Sequence, residues 1–153
     1  MPESGELLDS MVEEIFGLSK LVASARSRRD SSTDDLSETE FLALDALSRS
    51  APLSIGEVQK VVGVVPAQMS RVVRALEVEG GRGYIECKIN PQDRRRIDLS
   101  LTESGRKAYE AYRRSRLGSF YTVLEALDPN DRDDFMRMLK RIRQAFEIAI
   151  EQG

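Results

Sequence analysis

Two groups of residues in this 153-residue chain combine polar types and spacing that suit contact with a charged duplex. The first is Asn90-Pro91-Gln92-Asp93-Arg94-Arg95-Arg96. Ile85, Cys87 and Ile89 alternate before it, and Ile97, Leu99 and Leu101 alternate after it. That pattern predicts a β-hairpin with one buried face and a turn-forming tip. Arginine is always charged and carries a planar fork of donors suited to phosphate or to a narrow, electronegative minor groove. The second group lies on a predicted helix in which Met69, Val72, Val73 and Leu76 recur at i, i+3, i+4 and i+7 and must face a core. Ala67, Arg71, Arg74 and Val78 then point the opposite way, flanked by Gln68, Ser70 and Ala75. A small residue near the start of such a helix lets the backbone approach DNA. Gln68 can pair with adenine, and Arg71 or Arg74 with guanine.

Other chemistry finds little support. The chain has no histidine, the commonest general base and transition-metal ligand, and nothing converges as a nucleophile, base or cofactor loop, so no catalytic residue, metal or cofactor is expected. Asp128, Asp131, Asp133 and Asp134 cluster where a helix dipole favours carboxylates anyway, without the glycine and spacing of a calcium loop. Cys87 is the single cysteine. A redox sensor needs an accessible thiolate of low pKa, whereas Cys87 shares an apolar hairpin face with Ile85 and Ile89, so a buried structural role is expected.

The elements that must position these groups can be read along the chain. Leu7, Leu8, Met11, Val12, Ile15, Leu18, Leu21, Val22 and Ala25 predict a first helix with a wide apolar face, followed by a polar stretch from Arg26 to Asp35. Ser37 with Glu40, and Ser54 with Glu57, are capping-box patterns that open a second and a third helix. Gly63 ends the third, and Pro66 suits the first turn of the fourth. Two helices joined by a short turn around a glycine describe a helix-turn-helix. Gly80-Gly81-Arg82-Gly83 separates it from the hairpin. Thr102 is a plausible cap for a fifth helix, and Asp128-Pro129 starts a sixth.

The expected fold is therefore mainly α with a small two-stranded β-wing: a winged helix-turn-helix flanked by long terminal helices. We expect a single domain over 1–153, with a DNA-binding lobe at 36–101 and a helical dimerisation region at 1–30 and 102–153. The terminal helices carry apolar faces larger than a small core can cover, which predicts a homodimer presenting two recognition helices to successive major grooves about 34 Å apart.

Composition agrees. With 41% hydrophobic, 32% charged and 6% aromatic residues the chain reads as globular and rich in helix. No apolar run suits a membrane span, and a single cysteine fits a reducing cytoplasm. The net charge of −3 hides an asymmetry. From Lys60 to Arg116, 13 basic residues stand against 7 acidic ones, while the two ends together carry a net charge of −9. A basic middle between acidic ends localises an electrostatic footprint for double-stranded DNA.

The span from Leu36 to Tyr109 resembles the multiple-antibiotic-resistance regulator (MarR) family. Three segments carry the likeness: Ser70-Arg71-Val72-Val73-Arg74-Ala75-Leu76-Glu77, Asn90-Pro91-Gln92-Asp93-Arg94-Arg95, and Leu101-Thr102-Glu103-Ser104-Gly105-Arg106. The resemblance implies a homodimeric transcriptional regulator, usually a repressor, on a pseudo-palindromic operator. It places Pro66, Ala67, Gln68, Ser70, Arg71 and Arg74 in the major groove. Asp93, Arg94, Arg95 and Arg96 form the minor-groove wing. Asp93 is then a positioning residue that pairs with a nearby arginine, and spacing does not choose which arginine inserts. The resemblance further implies a small aromatic or anionic effector where the terminal helices meet the DNA-binding lobe. Here that junction would draw on Phe16, Lys20, Phe41, Tyr109, Tyr112 and Arg113.

The chain departs from the family pattern in three places. Three extra residues in the Gly80–Gly83 stretch lengthen the link to the wing, which could alter half-site geometry or let the wing move more. Gln59 replaces a small alanine, and Cys87 stands where many members carry a basic residue. An interaction module that binds a protein in place of DNA is the alternative reading; such a module would normally lack the arginines present at both the wing and the fourth helix.

Overall fold

The computed structural model describes residues 4–27 and 36–152; residues 28–35 of the polar stretch lie outside them. Among the described residues, six helices and three strands follow in the order α1 (Ser4–Ser27), α2 (Glu38–Ser50), β1 (Leu53–Ser54), α3 (Ile55–Val62), α4 (Pro66–Leu76), β2 (Ile85–Ile89), β3 (Ile97–Leu101), α5 (Glu103–Glu125) and α6 (Pro129–Glu151). The architecture is mainly α with a small antiparallel sheet, as the periodicities predict. The chain divides into two compact units, Met1–Tyr112 and Arg113–Gly153.

Local chemistry sets the helix ends of the first unit. The Ser37 and Ser54 hydroxyls accept from the backbone N–H of Glu40 and Glu57 (3.2 Å each), and the two glutamates accept in return from the serine N–H groups at 2.8 and 2.7 Å. Gly63, at φ 74°, closes α3 with its N–H on the Gln59 carbonyl. The core is built from α2, α3, α4 and the base of the sheet: Leu44, Val58, Met69, Leu76, Ile85 and Leu99 are almost completely buried. Burying each such side chain contributes about 1.5–3 kcal/mol.

The sheet differs from expectation in two ways. It has three strands, ordered β1-β3-β2, because Leu53 and Ser54 pair with Leu99 and Asp98. The hairpin is in register, Ile85 opposite Leu101, Cys87 opposite Leu99 and Ile89 opposite Ile97, but its apolar face is buried only at the base. Ile85 is 2% exposed and Leu99 0%, while Ile89 is 66% and Ile97 42% exposed. Cys87 is exposed as well, which corrects the expected burial. Alternation assigned these side chains to one face correctly; how far the core extends beneath that face is a tertiary property.

In the second unit, Asp128 caps α6 by accepting from the Asp131 N–H at 3.0 Å, and Pro129 occupies the first helical turn. The Arg132 guanidinium donates to the Leu124 and Glu125 carbonyls at the end of α5, at 2.9 and 2.6 Å. α6 exposes Phe135, Met138, Leu139, Ile142 and Phe146, and in the other unit α1 exposes Leu7, Leu8, Met11, Val12, Ile15 and Leu18.

Candidate nucleic-acid interface

Helix α4 divides cleanly. Met69, Val72, Val73 and Leu76 are buried, and Pro66, Ala67, Gln68, Ser70, Arg71 and Arg74 are all exposed. Burial of the first set fixes the roll of the helix, so the second set must face outward on one continuous surface. Gln68 donates from Nε2 to the Thr39 hydroxyl across a long 3.4 Å contact. The helix stops at Leu76, two residues before Val78, so Val78 lies beyond it and donates its N–H to the Ile85 carbonyl at 3.0 Å.

The loop that follows is held against the end of α4. Arg82 donates its N–H to the Ala75 carbonyl, Gly83 to Glu77 and Tyr84 to Leu76, at 2.9, 3.1 and 2.7 Å. These bonds satisfy carbonyls that a helix C-terminus otherwise leaves without partners. A Cβ on Gly81 would stand 2.6–2.8 Å from the carbonyl oxygens of Glu77, Arg74 and Ala75, so only glycine lets the loop lie this close. The link is therefore tied to the C-terminal end of α4 before it enters β2.

The same economy explains the segment from Leu101 to Gly105. The Thr102 hydroxyl donates to the Gly83 carbonyl at 2.7 Å and accepts from the Gly105 N–H at 2.9 Å, tying the loop to the first turn of α5. Thr102 N–H bonds the Tyr84 carbonyl, against which a Cβ on Gly105 would collide.

The wing tip is built from short side chains that accept backbone N–H groups. Asn90 Oδ1 accepts from Gln92 and Asp93 at 2.8 and 3.0 Å, and its amide donates to Asp98 at 2.7 Å. Asp93 Oδ1 accepts from the Arg95 N–H at 3.0 Å. Asp93 thus acts on the backbone of the tip, where the family resemblance implied a pairing with an arginine side chain.

The three arginines are not equivalent. Arg96 Nε donates to Asp98 at 2.7 Å, and its terminal nitrogen donates to Glu57 at 2.9 Å. The Glu57 oxygen that receives it is the one that caps α3. Glu57 is held below the usual carboxylate range, first by the Ser54 N–H and hydroxyl and then by the Arg96 charge. Asp98 is also lowered, first by its hydrogen bond from Arg96. Arg96 consequently clamps the wing to α3, while the exposed Arg94 and Arg95 side chains have no hydrogen-bond or ion-pair partner among the described residues. The sequence marks Glu57 only as a capping residue of α3 and does not mark Asp98 at all; neither is expected to engage the wing. The two-residue spacing of Arg96 and Asp98 was a usable signal; Glu57, 39 residues away, offered none.

Of the residues expected around an effector, Phe41, Tyr109 and Tyr112 come together. Phe41 stacks on Tyr109 with ring centroids 5.6 Å apart and meets Tyr112 at 5.0 Å. The Tyr109 hydroxyl donates to Asp45 at 2.5 Å. Lys20 sits 4.5 Å over the Phe16 ring on α1, and Arg113 is exposed on α5. The exposed Cys87 has a partly desolvated thiol that, with the nearby Glu77 charge, is raised above the ordinary thiol pKa. No group of residues suited to a metal ion occurs among the described residues, and no described helix is long and apolar enough to cross a membrane.

Comparison with known proteins agrees with this geometry. The MarR family model matches residues 36–97, which span the helix-turn-helix and the wing tip. An uncharacterized HTH-type transcriptional regulator of Bacillus subtilis, YwhA, is 28% identical over 101 residues, covering 66% of this chain and 70% of the relative. The structure of Streptococcus pneumoniae FabT in complex with DNA shares the fold, with a TM-score of 0.71 and 21% identity over 95% of this chain and 99% of that one. So does the structure of Bordetella bronchiseptica BpsR, described for regulation of its DNA binding by 6-hydroxynicotinic acid, with a TM-score of 0.59 and 21% identity over 93% and 94% of the two chains. The part of the chain that holds the two faces of α4, the loop at its end and the hairpin tip is thus the part that is similar to the MarR family, and the fold is that of solved winged helix-turn-helix regulators.

Proposed function

We propose that this protein is a cytoplasmic, homodimeric repressor that binds a pseudo-palindromic operator, and that it is not an enzyme. The observation that carries the reading is the pairing of one exposed polar and basic face on α4 with two unengaged arginines at the hairpin tip. Pro66, Ala67, Gln68, Ser70, Arg71 and Arg74 enter the major groove. Arg94 and Arg95 reach the adjacent minor groove, with Asp93 shaping the tip and Arg96 orienting the wing. Residues 36–101 form the DNA-binding lobe, and 1–30 with 102–153 form the dimerisation region. The exposed apolar faces of α1 and α6 support that assignment, because monomers rarely leave such stripes uncovered.

The solved structure of FabT with DNA supports the DNA reading, and BpsR, whose DNA binding 6-hydroxynicotinic acid regulates, supports an effector. We assign a small aromatic or anionic effector to the neighbourhood of Phe41, Tyr109 and Tyr112, together with Phe16, Lys20 and Arg113. It would act by binding more tightly to a dimer whose recognition helices are misplaced for DNA. The test is fluorescence anisotropy with DNA from the region upstream of the chain's own gene against scrambled DNA, across a salt series. Preference for the upstream DNA, with log K falling linearly in log salt, is the expected result. Weak, sequence-blind binding to that DNA and to fragments selected genome-wide would refute the reading and favour a protein partner.

A further inference from the structure

The four helices α2, α3, α5 and α6 each begin with a side-chain cap, from Ser37, Ser54, Thr102 and Asp128. Helix α4 begins with Val65, which makes no such bond and is 63% exposed. Valine is among the poorest residues at this position, where serine, threonine, asparagine or aspartate would satisfy a free N–H. Nothing in the core rewards the choice, since the Val65 side chain is outside it. Pro66 and Ala67 continue the apolar character on the exposed leading turn, and Gln68 is the N3 residue to the Val65 N-cap, the two positions whose side chains approach each other at a helix start. The leading end of a recognition helix is the part that meets base edges. In the major groove an A·T pair offers N7 and N6 of adenine, which a glutamine reads bidentately, and beside them the 5-methyl group of thymine, which takes an apolar contact.

We propose that Val65 is a specificity-determining residue that reads a thymine 5-methyl group next to the adenine read by Gln68. The inference rests on the DNA-binding reading above and adds a base preference to it. Burying one methyl group against Val65 is worth about a 4-fold gain in affinity per half-site, or about 15-fold for both half-sites of a dimer.

The experiment uses the full-length protein and an operator recovered by selection from a random duplex pool. Each thymine is replaced in turn by deoxyuridine, which lacks the methyl group and keeps the Watson–Crick face. Wild type should lose about 4-fold at one thymine per half-site. Val65→Ser should show no loss at that thymine and Val65→Ala a smaller loss than wild type, with the slope of log K against log salt unchanged. Val65→Ser should also raise the melting temperature by supplying the missing cap, which shows that its altered preference is not a folding defect. Identical uracil profiles for wild type and both variants would overturn the role of Val65 while leaving DNA binding intact. Failure of wild type to enrich any duplex would overturn the DNA-binding reading and this inference with it.

Discussion

The division of labour among the three wing arginines leads to a quantitative expectation. A protein that neutralises Z phosphates on duplex DNA shows a slope of log K against log salt of about −0.9Z. Arg94 and Arg95 are free to contribute two such charges per protomer. Arg94→Ala with Arg95→Ala should therefore make the slope less steep by about 1.8 per protomer, and by about 3.6 for a dimer on its operator. Between about 50 and 200 mM salt, a change of 3.6 in slope alters the ratio of wild-type to variant affinity by about 2 log units. The control is Arg96→Gln combined with Glu57→Gln. It removes one charge of each sign, and glutamine can still serve in the capping box of α3. Because Arg96 is already bonded to Glu57 and Asp98, the control should leave the slope unchanged, though affinity falls modestly as the wing loses its clamp. Anisotropy titrations at five or more salt concentrations would measure both. An unchanged slope in the alanine pair, or an equal change in the control, would refute the assignment.

Three further outcomes follow from the geometry. Gly81→Ala forces a Cβ against three carbonyl oxygens at the end of α4, so chemical denaturation should show a loss of about 1–3 kcal/mol, and Gly80→Ala, whose Cβ meets no atom but whose φ of 81° strains alanine, separates steric from conformational effects. Glu57, Asp98 and Asp128 are all held below the usual carboxylate range in the folded chain. Their contribution is present above the unfolded carboxylate values near about 4 and is lost as pH falls through the lowered ones; melting temperatures should decline steeply there, and less steeply in Glu57→Gln with Asp128→Asn. Cys87 is exposed but its thiol pKa is raised, so alkylation by iodoacetamide should be slow at neutral pH and quicken above the ordinary thiol range, with Glu77→Gln moving that rise to lower pH; a fast reaction at neutral pH would contradict the raised value.

Legibility in the sequence tracked the distance over which each feature is encoded. Both serine capping boxes, the Gly63 terminus of α3 and the Asp128 start of α6 are specified within four residues and were all readable. So was the roll of α4, because its four buried residues lie within one helix. β1 was not, since two residues cannot display a period. The exposure of Cys87, Ile89 and Ile97 escaped for a different reason: alternation reports which side chains share a face, and only the tertiary packing decides how much of that face is covered. The contacts of the loop at Gly80–Gly83 escaped for a like reason: its Arg82 and Gly83 N–H groups find the Ala75 and Glu77 carbonyls at the end of α4, an outcome set by closure of the chain on itself.

The same principle governs the wing. Three consecutive arginines are chemically identical in sequence, and nothing local ranks them. What ranks them is Glu57, brought from α3 to within 2.9 Å of Arg96. That carboxylate also caps its own helix, so its position is set locally, and the arginine it binds is removed from the pool available to phosphate. A second carboxylate, Asp98, two residues further along in β3, holds the same guanidinium at 2.7 Å. The wing's free charge is therefore set as much by acidic residues in the helix-turn-helix and sheet as by the arginines themselves. A homologous tip with the same Asp93-Arg94-Arg95-Arg96 run but with neither position 57 nor position 98 acidic should present three free arginines and bind with a correspondingly steeper salt dependence.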